Sequence, residues 1–75
     1  MITLKELDIG EFGMIREILF QGRERRRMLD LGFVIGTAVE AVQKSPPGDP
    51  VAYYLRGTVI ALRNDDAANV LIEKI

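Results

Sequence analysis

The residues with the most chemistry to offer in this chain are arginines. Arg23, Arg25, Arg26 and Arg27 fall within five positions, with Arg16 nearby in sequence. A guanidinium is a rigid fork of donors, suited to carboxylate or phosphate recognition and to the acidic surface of a partner. The four are not equivalent. Steps of about 100° around a helix put Arg25 on the side of Met28 and Leu31, while Arg23, Arg26, Arg27 and Asp30 point away. An inward guanidinium needs acceptors, so Arg25 is expected to reach backbone carbonyls or a carboxylate in a structural role. Arg26 can pair with Asp30 one turn on. Arg23, Arg26 and Arg27 are left as candidates for binding a partner.

Little else in the chain can do chemistry. Histidine, cysteine and tryptophan are absent, which removes the usual general base near neutral pH and every Ser-His or Cys-His arrangement. Thr3, Thr37 and Ser45 are the only hydroxyls on Ser or Thr between residues 2 and 46, and none sits in a nucleophile elbow. Asp65-Asp66 is the one adjacent acidic pair; it opens a short helical turn and reads as capping with a favourable dipole. Neither a P-loop nor G-x-G-x-x-G occurs. Soft or borderline transition metals want imidazole or thiolate. Glu11, Glu40 and Asp49 could hold a hard cation, yet no loop has calcium-site spacing. The expectation is a binding module that is not an enzyme and needs no metal and no cofactor.

The elements that must position the arginines are short. Thr3-Leu4-Lys5-Glu6-Leu7 has capping-box spacing around one helical turn, with Leu4 and Leu7 on one buried side. Period-2 patterning from Phe12 to Phe20, interrupted once, predicts a strand. Gly22 to Leu31 is helical; Gly32 can take the left-handed position that closes it, and Phe33 can pack back on Met28. Gly36 ends the next turn, and Thr37 to Lys44 is a strand with Val39 and Ala41 on one face and Val42 on the other. Pro46-Pro47-Gly48-Asp49-Pro50 is a rigid loop, because three prolines fix φ and remove donors. Such a loop loses little entropy on docking, which makes Pro47 and Asp49 candidates for an interface. Val51 to Leu55 resumes extended structure. Tyr53 and Tyr54 alternate faces there, so one is expected to be buried and the other exposed as an anchor beside the loop. Arg56-Gly57-Thr58 turns into Val59 to Leu62. Asn64 or Asp65 can cap a turn through Ala68, and Val70 to Ile75 is the last strand.

Five short strands and two helical pieces in 75 residues predict a mainly β fold, one small closed barrel over residues 1–75. An SH3-like barrel is the first choice and an OB-like barrel the second. A domain of this mass should expose about 4,600 Å², room for one standard footprint of about 800 Å². Ten basic residues against eleven acidic ones give no general attraction to nucleic acid or lipid. No aromatic interrupts the arginine segment between Phe20 and Phe33, so it lacks the stacking side chains of a single-strand binder. No run is long enough for a membrane span and no signal pattern opens the chain, which points to the cytoplasm.

Three stretches point further. They are Arg25-x-Arg27-Met28-Leu29-Asp30-Leu31-Gly32-Phe33 with Gly36-Thr37, then Pro47-Gly48-Asp49-Pro50, then Ile60-Ala61-Leu62-Arg63 with Asp66-Ala67 and Val70-x-Ile72. In this order and spacing the chain resembles the FeoA family, the small accessory proteins of bacterial ferrous iron transport. Ile35 stands where that family usually has proline before the glycine. The resemblance implies an SH3-like fold, and Leu31, Gly32, Gly36 and Gly48 are expected to be structural positions. It also implies a partner, the FeoB-type membrane transporter with its cytosolic GTP-binding domain, whose uptake activity such proteins are thought to modulate. Contact with the membrane would then be indirect. Self-association stays open, and the competing readings are a small-barrel nucleic-acid-binding module or a metal-responsive protein-interaction domain.

Overall fold

The alternation of inward and outward residues breaks once in each of the two longest strands, and both breaks are bulges that bend the sheet. A computed structural model describes residues 1–75. Along the chain lie β1 (Ile2–Thr3), a 3-10 turn (Leu4–Glu6), β2 (Phe12–Ile18), α1 (Gly22–Asp30), β3 (Ala38–Lys44), β4 (Val51–Leu55), β5 (Thr58–Leu62), α2 (Asn64–Ala67) and β6 (Val70–Lys74). The strands form one antiparallel sheet in the order β1-β6-β2-β3-β4-β5.

In β2 the register passes from Ile15 opposite Ile72 to Glu17 opposite Leu71, so Arg16 is the extra residue. That is the interruption in the period-2 pattern. Gly13 and Ile15 face inward before it and Ile18 after it. The strand expected to reach Phe20 therefore stops at Ile18, and the Leu19 N–H donates to the Asn69 carbonyl instead, at 2.8 Å. In β3 the extra residue is Val42, between Ala41 opposite Tyr53 and Gln43 opposite Ala52. Bulges of this kind raise local twist and let a short sheet curl around its own core.

Five strands were expected and six are present. The sixth is β1, whose Ile2 and Thr3 pair with Ile72 and Leu71; two residues are too few to show alternation. The turn after it follows the capping-box pattern, with the Glu6 carboxylate accepting from both the Thr3 N–H (2.7 Å) and the Thr3 hydroxyl (3.1 Å). Leu4 and Leu7 are buried beneath it.

The core gathers side chains from every strand except β1, together with Leu4, Leu7, Met28, Phe33 and Ala67. Gly13 is buried where β2 crosses β6, and a Cβ there would lie 2.5 Å from the Ile72 Cδ1. A larger residue there would force the Ile72 side chain to move. The exposed surface is 4560 Å². No helix is long and apolar enough to cross a membrane.

Candidate partner-binding surface

Local rules place α1 and its arginines. Gly32 has φ +106°, the Phe33 N–H donates to the Met28 carbonyl and the Gly32 N–H to the Leu29 carbonyl, both at 3.0 Å. This is the 6→1 and 5→2 pair of a Schellman closure, completed by Phe33 and Met28, both fully buried. Leu31 caps the helix and packs against the core. The loop beyond is held by the Gly36 N–H, which donates to the Ile15 carbonyl at 2.8 Å.

With the helix fixed, the four arginines take different partners. Arg25 turns inward and its Nη1 donates to the Ile18 carbonyl at 2.9 Å, at the end of β2 where the ladder stops. Arg26 sits 3.7 Å from Asp30 on the exposed side. Arg27 reaches out of its own element, with Nη2 3.3 Å from Asp66 Oδ2 on α2. Arg23 is exposed and enters no ion pair.

The short α2 is the junction of this surface. Its N-cap is Arg63, with no side-chain capping bond, so neither Asn64 nor Asp65 caps it as expected. The first free N–H, on Asn64, donates instead to Asp49 Oδ1 at 3.0 Å, and the Asn64 Nδ2 donates to the Gly48 carbonyl at 3.1 Å. A carboxylate from the proline loop thus does what a local cap would have done, because the loop doubles back across the end of β5. The loop is tied down, not free: the Gly48 N–H also donates to the Ser45 carbonyl at 2.7 Å. Pro46 and Pro47 stay exposed at its tip. Through α2, the structure links Arg27 to Gly48 and Asp49. Asn64 and Asp66, which make the junction, are marked in the sequence only as a helix start and as part of the closing stretch of the resemblance, not as partners of the loop or of α1.

The two tyrosines separate as alternation requires. Tyr53 is 1% exposed, which corrects its place among residues available to a partner. Its hydroxyl lies 3.5 Å from the Leu4 carbonyl, and burial pushes its pKa up to about 12. Tyr54 is 44% exposed, but on the outer face of the sheet, not beside the loop. There the pairing register lines it up with Phe12, Glu40 and Val59, residues far apart in sequence.

Electrostatically the remainder is a set of small surface arrangements. The Lys74 ammonium, 2.8 Å from Glu11, holds that carboxyl below the usual range and is itself raised by it. Glu6 is lowered by the hydrogen bond from the Thr3 backbone. No three carboxylates converge in a way that could hold a metal ion, and no pocket indents the surface.

Comparison with known proteins follows the same lines. The chain is 38% identical over 74 residues to a protein of Porphyromonas gingivalis named as an Fe(2+) transport protein A/Fe(2+) transporter FeoB fusion; the match takes in 99% of this chain and 9% of that protein. A FeoA-like protein from Clostridium acetobutylicum has the same fold, with a TM-score of 0.90 and 35% identity over 99% of this chain and 86% of the other. FeoA of Stenotrophomonas maltophilia, solved with zinc and described as an SH3-domain protein proposed to activate ferrous iron transport, has a TM-score of 0.85 and 30% identity over 97% and 91%. That likeness decides between the two barrels in favour of the SH3-like one. Residues 2–74 match the FeoA domain model, and the chain therefore belongs to the FeoA domain family.

Proposed function

We propose that this protein is a non-catalytic cytoplasmic accessory domain of ferrous iron uptake, which binds an FeoB-type transporter through the transporter's cytosolic GTP-binding domain and modulates it. The observation that carries the reading is the fusion protein, in which a relative of nearly this whole chain is joined covalently to an FeoB transporter. Joining two modules in one chain raises their effective concentration to the millimolar range, which favours association of two parts that act together. The absence of imidazole and thiol and the unindented surface support contact, not turnover, as the mode of action.

On this reading the interface is the side built around α2: Arg23, Arg26 and Arg27 on α1, with Pro47 and Asp49 in the loop fastened to it. A footprint of about 800 Å² takes in that side and leaves the outer sheet face free. The test is a binding titration with the transporter's GTP-binding domain. The double substitution Arg26→Glu plus Arg27→Glu is expected to weaken binding at least about ten-fold, since like-charge contacts across an interface cost several kcal/mol. Circular dichroism confirms that the variant is folded. Undiminished binding would refute the assignment of this face.

A further inference from the structure

The outer face of the sheet carries a second surface that the iron-transport reading does not use. Phe12 lies opposite Glu40, Glu40 opposite Tyr54, and Tyr54 opposite Val59, so one side chain from each of β2, β3, β4 and β5 falls in a single row across the strands. Ile75 extends it, its N–H donating to the Phe12 carbonyl at 3.1 Å. The apolar members are open to solvent: Phe12 46%, Tyr54 44%, Val59 59% and Ile75 70%. Beside the row, Gln43 pairs with Ala52 and Ala52 with Ala61, so the next row towards the proline loop has small side chains on β4 and β5 only. In the middle of these apolar groups stands Glu40, half-buried, in none of the four ion pairs and without a side-chain hydrogen bond.

From this row we infer that the outer sheet face docks an amphipathic helix whose apolar stripe is interrupted by one lysine or arginine. Two arguments fix that occupant. The first is charge. A carboxylate left unpaired among apolar side chains costs free energy when covered unless a cation comes with the cover. A second copy of this chain does not supply one: a twofold contact centred on the row sets Glu40 over Tyr54 and Phe12 over Val59 of the other copy, with no cation among them. Nor does the neighbour's α1 serve, because its exposed side carries Arg23, Arg26, Arg27 and Asp30 with no apolar group to meet Phe12, Tyr54 and Val59. The second argument is spacing. Strands stand about 4.8 Å apart and an α-helix repeats every 5.4 Å or so. A helix laid along the row therefore sets about one turn over each strand. Residues at i, i+4, i+7 and i+11 then meet Phe12, Glu40, Tyr54 and Val59 in turn, with the cation at i+4. Over β4 and β5, Ala52 and Ala61 give the helix backbone room to lie close.

The probes are two synthetic helical peptides of about eighteen residues, each with leucine at i, i+7 and i+11, one with lysine at i+4 and the other with glutamate. Each is titrated into the isotope-labelled protein and followed by amide chemical shifts. The lysine peptide is expected to move the amides of Phe12, Glu40, Tyr54 and Val59 and to bind about ten-fold or more tightly than the glutamate peptide. Glu40→Lys should invert that preference, and Tyr54→Ala should weaken the lysine peptide about ten-fold. Equal binding of the two peptides, or shifts confined to α1 and α2, would overturn the inference. So would movement of the same four amides on concentrating the protein alone, which would assign the face to a second copy. If Glu40→Lys does not fold, the two-peptide comparison on the unaltered protein decides the matter alone. Loss of transporter binding in the α1 variants leaves this outcome unaffected, because those substitutions lie on another face.

Discussion

The α1 side and the outer sheet face offer opposite kinds of surface. On α1, four arginines crowd into five positions, yet three are already engaged: Arg25 with the Ile18 carbonyl, Arg26 with Asp30 and Arg27 with Asp66. On the sheet, four residues from four strands show no crowding in sequence, and yet Phe12, Glu40, Tyr54 and Val59 remain without partners of their own. Density of a residue type along the chain is a poor guide to what a partner can use. Availability is settled by which acceptors the fold brings up to each side chain.

The comparison breaks first where α1 is fastened. Phe33 fills the C-terminal closure of the helix and is fully buried. Phe33→Ala is expected to cost about 3–5 kcal/mol, by lost transfer energy plus the cavity left behind. Against a total of about 4–11 kcal/mol for a chain this size, that is a large fraction. Urea unfolding measures the loss. Native-state hydrogen exchange should show amides of α1 opening ahead of those of β3 and β4. A loss below about 1 kcal/mol would mean that α1 is held by something other than this corner.

This corner was legible in the sequence, and the reason is that its rules are local. A glycine in left-handed conformation followed by a hydrophobic residue closes a helix within six residues, so Gly32, Phe33 and Met28 could be placed together beforehand. The inward turn of Arg25 followed from helical geometry, and the split between Tyr53 and Tyr54 from the pleat. The features without a local signal join residues far apart. Asp49 caps α2 from 15 residues away, and Arg27 meets Asp66 across 39. The row on the sheet depends on three registers at once, and a single slip in any of them would scatter it. β1 is too short for any periodicity, and the bulge at Arg16 showed only as one wrong residue in an alternating run.

A sharper separation between the arginines comes from replacing them one at a time. Arg25→Ala removes a charged donor from a carbonyl that has no ladder partner, and is expected to cost about 1.5–3 kcal/mol of stability by urea unfolding. Arg25→Lys should recover only part of this, since an ammonium lacks the planar fork. Arg23→Ala, which breaks nothing, should fall within about 0.5 kcal/mol of the parent. Equal losses at Arg23 and Arg25 would erase the distinction between an inward and an outward arginine on this helix.

The finest test concerns Arg27, whose position between the two roles is decided by Asp66. The pair is 3.3 Å long and half open to water on the arginine side, at 55% exposure, which limits its coupling to about 0.2–1 kcal/mol. A double-mutant cycle with Arg27→Ala and Asp66→Ala measures that coupling, and raising salt to about 1 M should shrink it, because the Debye length falls to about 3 Å. A coupling near 0.5 kcal/mol corresponds to only about a two-fold change in an equilibrium constant. Asp66 would then orient the guanidinium while a docking carboxylate could still displace it. A coupling well above 1 kcal/mol would lock Arg27 to α2 and leave Arg23 and Arg26 as the charges that α1 can present.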